Sequence, residues 1–134
     1  PDPQPRRPTM PRYVDGFIIP LQKKKLAEYK KMAQSASKIW MEHGAVQYIE
    51  SVLDDADPMP GCGISFDKLC ALKKTETVVL AFIVYKSRAQ RDKVNKKVMA
   101  DPRMLEMMQA MNPKKPMFDM ERFSFGGFEA LIDA

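Results

Sequence analysis

His43 is the only histidine in the chain, so any imidazole acid–base or haem-ligand role falls to it. It follows Trp40 and precedes Gly44. There it either belongs to a site or bonds the last carbonyls of a helix and complements the helix dipole. Asp15 stands inside the apolar run Tyr13-Val-Asp-Gly-Phe-Ile-Ile-Pro20. Strand alternation puts Tyr13, Asp15, Phe17 and Ile19 on one face. A carboxylate buried there needs a partner, or its pKa rises; Arg88 and Arg122 are the expected partners. Glu50 shares a strand face with Tyr48. Asp15, His43, Tyr48, Glu50 and Arg122 are therefore the candidate site, a small polar cluster in a pocket between sheet and helices. The competing reading is a set of structural salt bridges and strand-edge charges.

Other residue types give weaker patterns. Cys62 and Cys70 with one histidine do not make a zinc framework, and no other metal site and no cofactor is expected. Ser87 with Gln90 three residues on reads as a capping box at a helix start, which leaves little to a phosphate-binding role. Gly61-Cys62-Gly63 lacks the lysine of a phosphate loop, and Gly126-Gly127 suits a bulge or close packing. Lys86, Arg88, Arg91, Lys93, Lys96 and Lys97 read as a solvated helix face. The methionines from Met99 to Met120 form either an amphipathic cover or a lid over an apolar ligand.

The elements that must position these residues follow from periodicity. Tyr13 to Pro20 is predicted as a strand, ended by its proline. A helix is expected over about 22–43, with Leu26, Tyr29, Ala33, Ala36, Trp40 and His43 on one face and Gly44 as its stop. Strands are predicted at 45–53, 75–85 and 122–128, and a loop at 54–63. A short helical turn is expected at 65–72. Further helices are expected from Ser87 to about Ala100 and from Asp101-Pro102 to Met111. The βαββαβ order predicts an α+β fold, a ferredoxin-like antiparallel sheet with helices on one face. Val79, Ala81 and Ile83 are apolar on one side of their strand, and Val78, Leu80, Phe82 and Val84 on the other. The second face is expected to be covered by the same face of a second copy, closing a dimeric α/β barrel.

Composition sets the frame. The chain has 134 residues, 45% hydrophobic and 29% charged, which suits one domain rather than a disordered chain. Residues 1–11 read as a Pro-rich extended tail, and 12–134 as a single domain. No apolar run approaches the ~20 residues of a membrane span. No secretory signal pattern opens the sequence, so a cytoplasmic location with reduced thiols is expected. The net charge of +5 is weak support for a polyanionic partner.

Several segments carry a resemblance. Tyr13-Val-Asp-Gly-Phe17, Trp40-Met-Glu-His-Gly-Ala45, Glu76-Thr-Val-Val79, Tyr85-Lys-Ser-Arg-Ala89, Val98-Met-Ala-Asp-Pro-Arg103 and Arg122-Phe-Ser-Phe-Gly-Gly-Phe128 resemble, in order, the YbaA-like family of bacterial proteins of unknown function. The resemblance implies a dimeric α/β-barrel fold and no established activity. Relatives by fold include small monooxygenases, haem-degrading enzymes, isomerases and stress-response barrels, among which fold cannot choose. The leading expectation is a homodimer that binds a small, partly apolar molecule, with monooxygenase-like or isomerase-like chemistry. The alternative is a non-catalytic interaction or stress-response protein. An RNA-associated protein is a weaker third, because the strand over 77–85 is aliphatic and unsuited to stacking bases.

Overall fold

β-branched and aromatic runs become strands, and runs of three-four periodicity become helices. The structure, a computed structural model, describes residues 10–134; residues 1–9, most of the expected tail, lie outside the described residues. The elements are β1 (Tyr13–Gln22), α1 (Leu26–Glu42), β2 (Gln47–Val52), α2 (Phe66–Leu69), β3 (Glu76–Tyr85), α3 (Arg88–Ala100), α4 (Pro102–Ala110) and β4 (Ser124–Glu129). The four strands form one antiparallel sheet in the order β2-β3-β1-β4. This is the ferredoxin-like arrangement that the element order predicts.

Register decides which side chains meet the helices. Asp15 lies between Ile83 of β3 and Gly127 of β4, and Ile83 lies beside Tyr48 of β2. Phe17 likewise lies between Ala81 and Phe125, and Ala81 beside Glu50. Both rows point to the helix side, where Ile19, Leu21, Val79 and Ala81 pack with Tyr29 and Ala33 of α1. Ile83 and Tyr85 pack there with Ile39 of α1, Val94 and Val98 of α3, and Met104 of α4.

Helix ends are fixed locally. Gly44 has φ 115°, in the left-handed region open to glycine. The amides of Gly44 and Ala45 donate to the carbonyls of Met41 and Trp40, closing α1 with a Schellman motif. The Ser87 hydroxyl accepts from the Gln90 amide at 3.1 Å, and Gln90 Oε1 accepts from the Lys86 amide. The reciprocal bond of the capping box is thus made one residue earlier than expected.

Two expected boundaries are corrected. β1 does not end at Pro20 but continues to Gln22. Pairing of β1 with β4 stops at Ile18, so Pro20 lies beyond the β4 ladder on that side. Its carbonyl accepts from the Asp119 amide at 3.0 Å, and the N–H it lacks would have pointed the same way, where no ladder partner stands. The helix expected from residue 22 begins at Leu26, after a 3₁₀ turn over Lys23–Lys25.

Candidate functional site

β1 alternation brings Asp15 beneath α3. Its Oδ1 stands 3.7 Å from Nη1 of Arg91, too long for a hydrogen bond. Arg91 Nη2 donates to the Tyr13 hydroxyl at 3.3 Å, and the guanidinium carbon lies 4.8 Å from the Tyr13 ring centroid, a cation–π contact. Behind Asp15 the Trp40 indole N–H donates to the Tyr85 hydroxyl at 3.1 Å and, more weakly, to Asn95 Oδ1 at 3.4 Å. The Tyr85 hydroxyl donates to the same Asn95 oxygen at 3.2 Å. Burial pushes the Asp15 carboxyl up and outweighs the pull of Arg91, Asn95 and Tyr85 the other way. Burial, reinforced by the Asp15 charge, also raises the Tyr85 phenol, which stays protonated.

One row along the sheet stands Glu50. Its Oε2 accepts from the Tyr48 hydroxyl at 2.8 Å, and its Oε1 from the Tyr29 hydroxyl. Burial and the Glu50 charge raise both phenols, so both remain donors. The Trp40 and Tyr48 rings, with centroids 6.2 Å apart, join the two clusters. Asp15, Tyr48 and Glu50 thus share the helix side of the sheet, as alternation predicts.

His43 and Arg122 do not join them. His43 Nε2 lies 2.8 Å from Asp101 Oδ2. Asp101 caps α4 through the Arg103 amide and is also bound by the Arg103 guanidinium. Those bonds hold the Asp101 carboxyl far below the usual carboxylate range. His43 closes α1 and ties it to the start of α4. Arg122 is spent elsewhere. Its Nε donates to Asp119 Oδ2 at 2.7 Å, its Nη1 to the carbonyls of Cys70 and Ala71, and both terminal nitrogens to Glu76. The expected cation beside Asp15, Arg88 or Arg122, is corrected to Arg91: Arg88 is exposed, whereas Arg91 sits one helical turn before Asn95 on the face that carries buried Val94 and Val98.

Arg91, Asn95, Tyr85 and Trp40 are the site residues that sequence reading passed over. Arg91 was hidden in a run of lysines. The signal was its i+3 and i+4 spacing to Val94 and Asn95.

Gly127 makes room for this cluster. A Cβ built there would overlap the Tyr13 hydroxyl and lie 2.8 Å from a ring carbon. Gly127→Ala is expected to displace the Tyr13 ring from Arg91 and to lower stability by about 1–3 kcal/mol, as overpacking does. Thermal unfolding checks it: adding Tyr13→Leu should recover part of the loss, and an additive double variant would refute the clash.

Two clefts lie away from Asp15. A groove of ≈ 420 Å³ runs over the open side of the sheet, between Ile18, Val78 and Leu80 and the segment from Ser51 to Phe66. Another, of ≈ 430 Å³, separates α1 from α4. Among the described residues, no group of three His, Cys, Asp or Glu side chains is placed to hold a metal ion. Cys62 is exposed and Cys70 buried, both as free thiols.

With this geometry in view, the likenesses to known proteins are informative. The model of a family described as "Protein of unknown function (DUF1428)" matches residues 12–120. The chain is 35% identical over 122 residues to the uncharacterized protein YbaA of Escherichia coli K12, covering 91% of this chain and 98% of that one. The same figures hold for YbaA of Shigella flexneri. Among solved structures, a single-residue mutant of SnoaB, described as a cofactor-independent oxygenase from Streptomyces nogalater, superposes with a TM-score of 0.55 at 13% identity, covering 91% of this chain and 95% of that one. A nipsnap-family protein of unknown function from Agrobacterium tumefaciens gives 0.55 at 14%, covering 91% and 90%. A protein described as dimeric and ferredoxin-like, from an uncultured marine organism, gives 0.56 at 10%, covering 92% and 99%. These structural likenesses support the fold and no more.

Proposed function

Because the chain belongs to the DUF1428 family of proteins of unknown function, its role has to come from its own geometry, and we propose a homodimer that binds a small, partly apolar molecule on the helix side of the sheet, with Asp15 as proton acceptor. The observation that carries this reading is the Asp15 carboxylate. It is buried, kept more basic than usual, not hydrogen-bonded to its nearest cation, and backed by Tyr85, Asn95 and Trp40. Carboxylates so placed suit general-base work. An isomerase-like reaction removes a proton and returns it elsewhere, so such a base suffices. Oxygenase-like chemistry would need an oxidant as well.

The dimer half of the reading rests on the other face. Register places Val14 beside Val84 and Phe128, Ile18 beside Leu80, and Phe82 beside Ile49. Leu80 is 44% and Phe128 61% exposed in the single chain. A contiguous apolar sheet face is a surface to be covered, and two-fold pairing of like faces is the usual solution. The solved neighbour described as dimeric agrees with it.

Leu80→Glu is expected to give a folded monomer. Light scattering should then read near 15.3 kDa, against twice that for the unaltered chain, with unchanged circular dichroism. An unaltered chain that runs as a monomer would end the dimer proposal. Native mass spectrometry of protein isolated without refolding tests the ligand: a dimer carrying a stoichiometric small molecule supports the site. A clean, empty dimer favours the interaction-protein reading, which the exposed Met59, Ile64 and Phe66 lining the open-face groove would then serve.

A further inference from the structure

Among the described residues two arginines turn inward, and their donors are used very differently. Arg122 spends its guanidinium on two carboxylates and two carbonyls. Arg91 offers the same five N–H groups and makes one hydrogen bond, to a neutral hydroxyl. Among the described residues its Nε is buried with no hydrogen-bond partner; Asp92 Oδ1 lies 3.3 Å away but outside hydrogen-bond geometry. Asp15 is beyond bonding distance of Nη1. The Tyr13 hydroxyl accepts from Arg91 and keeps its own proton to donate. The Arg91 side chain is 21% exposed, so the cluster meets solvent there.

Unspent donors beside a buried base define what fits. We infer that the ligand of this site is an enolisable carbonyl compound, whose oxygen is held by Arg91 and Tyr13 while its α-hydrogen faces Asp15. This rests on the proposed proton-acceptor role of Asp15 and adds the substrate class. In the step so defined, the α-C–H bond breaks and its proton passes to an Asp15 oxygen. The C–H electron pair becomes the C=C bond, and the carbonyl π pair moves onto oxygen, where Arg91 meets the developing charge. Return of the proton to the same or a conjugated carbon closes the sequence without oxidant or reductant.

The probes are 1-indanone and 1-indanol, which share a skeleton but differ in the carbonyl. Trp40 is the only tryptophan of this sequence and belongs to the cluster, so its indole N–H gives one assigned NMR signal in the labelled chain. The ketone is expected to shift that signal and to bind at least about tenfold tighter than the alcohol, as a charged donor on the carbonyl implies. The protein should also speed deuterium exchange of the ketone's α-hydrogens by about 100-fold over buffer. Arg91→Met should erase the ketone preference and the exchange. Arg91→Lys, which keeps the charge but not the fork, should keep part of both and shows that loss is not misfolding. If ketone and alcohol bind alike and Arg91→Met changes neither, the substrate class is wrong while the binding site stands. If neither probe moves the Trp40 signal and no exchange is seen, the reading of Asp15 falls with it.

Discussion

Arg122→Ala is expected to lower unfolding stability by about 3 kcal/mol, the low end of what breaking a buried ion pair costs. Glu76 is buried, and the substitution strands its carboxylate together with the carbonyls of Cys70 and Ala71 that Arg122 now satisfies. Ala71 sits at φ 50°, an uncommon backbone state for alanine, so the turn it forms relies on that clamp. Arg122→Lys keeps the charge without the planar fork and should recover only part. Urea unfolding midpoints at constant m-value check both, and a loss under about 1 kcal/mol for alanine would show the clamp to be dispensable. The pH dependence has a definite sign. The Arg122 hydrogen bonds hold the Glu76 and Asp119 carboxyls below their ordinary values. Their contribution is therefore full above the ordinary carboxylate pKa and is lost as pH falls through the folded values. Arg122→Ala should flatten the acid limb of the stability curve as well as lower its plateau.

Asp15→Asn is expected to do the reverse. Burial raises the Asp15 pKa despite Arg91, so the charged form is disfavoured in the folded state. A raised carboxylate stabilises fully below its unfolded pKa and loses that contribution as pH rises through the folded one. The charged and titratable groups bearing on it are Arg91, Asp92 and Tyr85, with Tyr13 across the Arg91 guanidinium. The neutral amide removes that pH dependence and should leave stability near neutral pH within about 1 kcal/mol of the unaltered chain. A structural ion pair would instead lose about 3–5 kcal/mol on the same change. Calorimetry across pH separates the two outcomes. The variant should also lose deuterium exchange on 1-indanone while its Trp40 signal still answers to the ligand. A loss of about 3 kcal/mol or more with ligand binding intact would make Asp15 a salt-bridge residue and nothing further.

Much of this molecule was legible from local pattern. Alternation in Tyr13–Ile19 and in Val78–Val84 depends only on the two-residue period of a strand, and it correctly put Asp15 on the face with Phe17. Gly44, Ser87 and Asp101-Pro102 mark helix ends through backbone geometry and donors within a few residues. The βαββαβ order then leaves few topologies, and the sheet order follows it. Tyr48 and Glu50 could be paired for the same reason, being two residues apart on one strand.

Partners across the sequence could not be read that way. His43 finds Asp101 and Arg122 finds Glu76, each the product of where two distant elements end. A charge takes whichever opposite charge packing brings near, and spacing along the chain carries no record of that distance. Arg91 shows it most plainly: spacing to Val94 puts it on the packed face of α3, but only the placement of α3 on the sheet brings that face beside Asp15. Residue pattern alone specified the strands, the caps, the topology and the burial of one carboxylate, because each depends on neighbours a few residues away. The packing of distant elements settled which cation faces that carboxylate and how far away it stands.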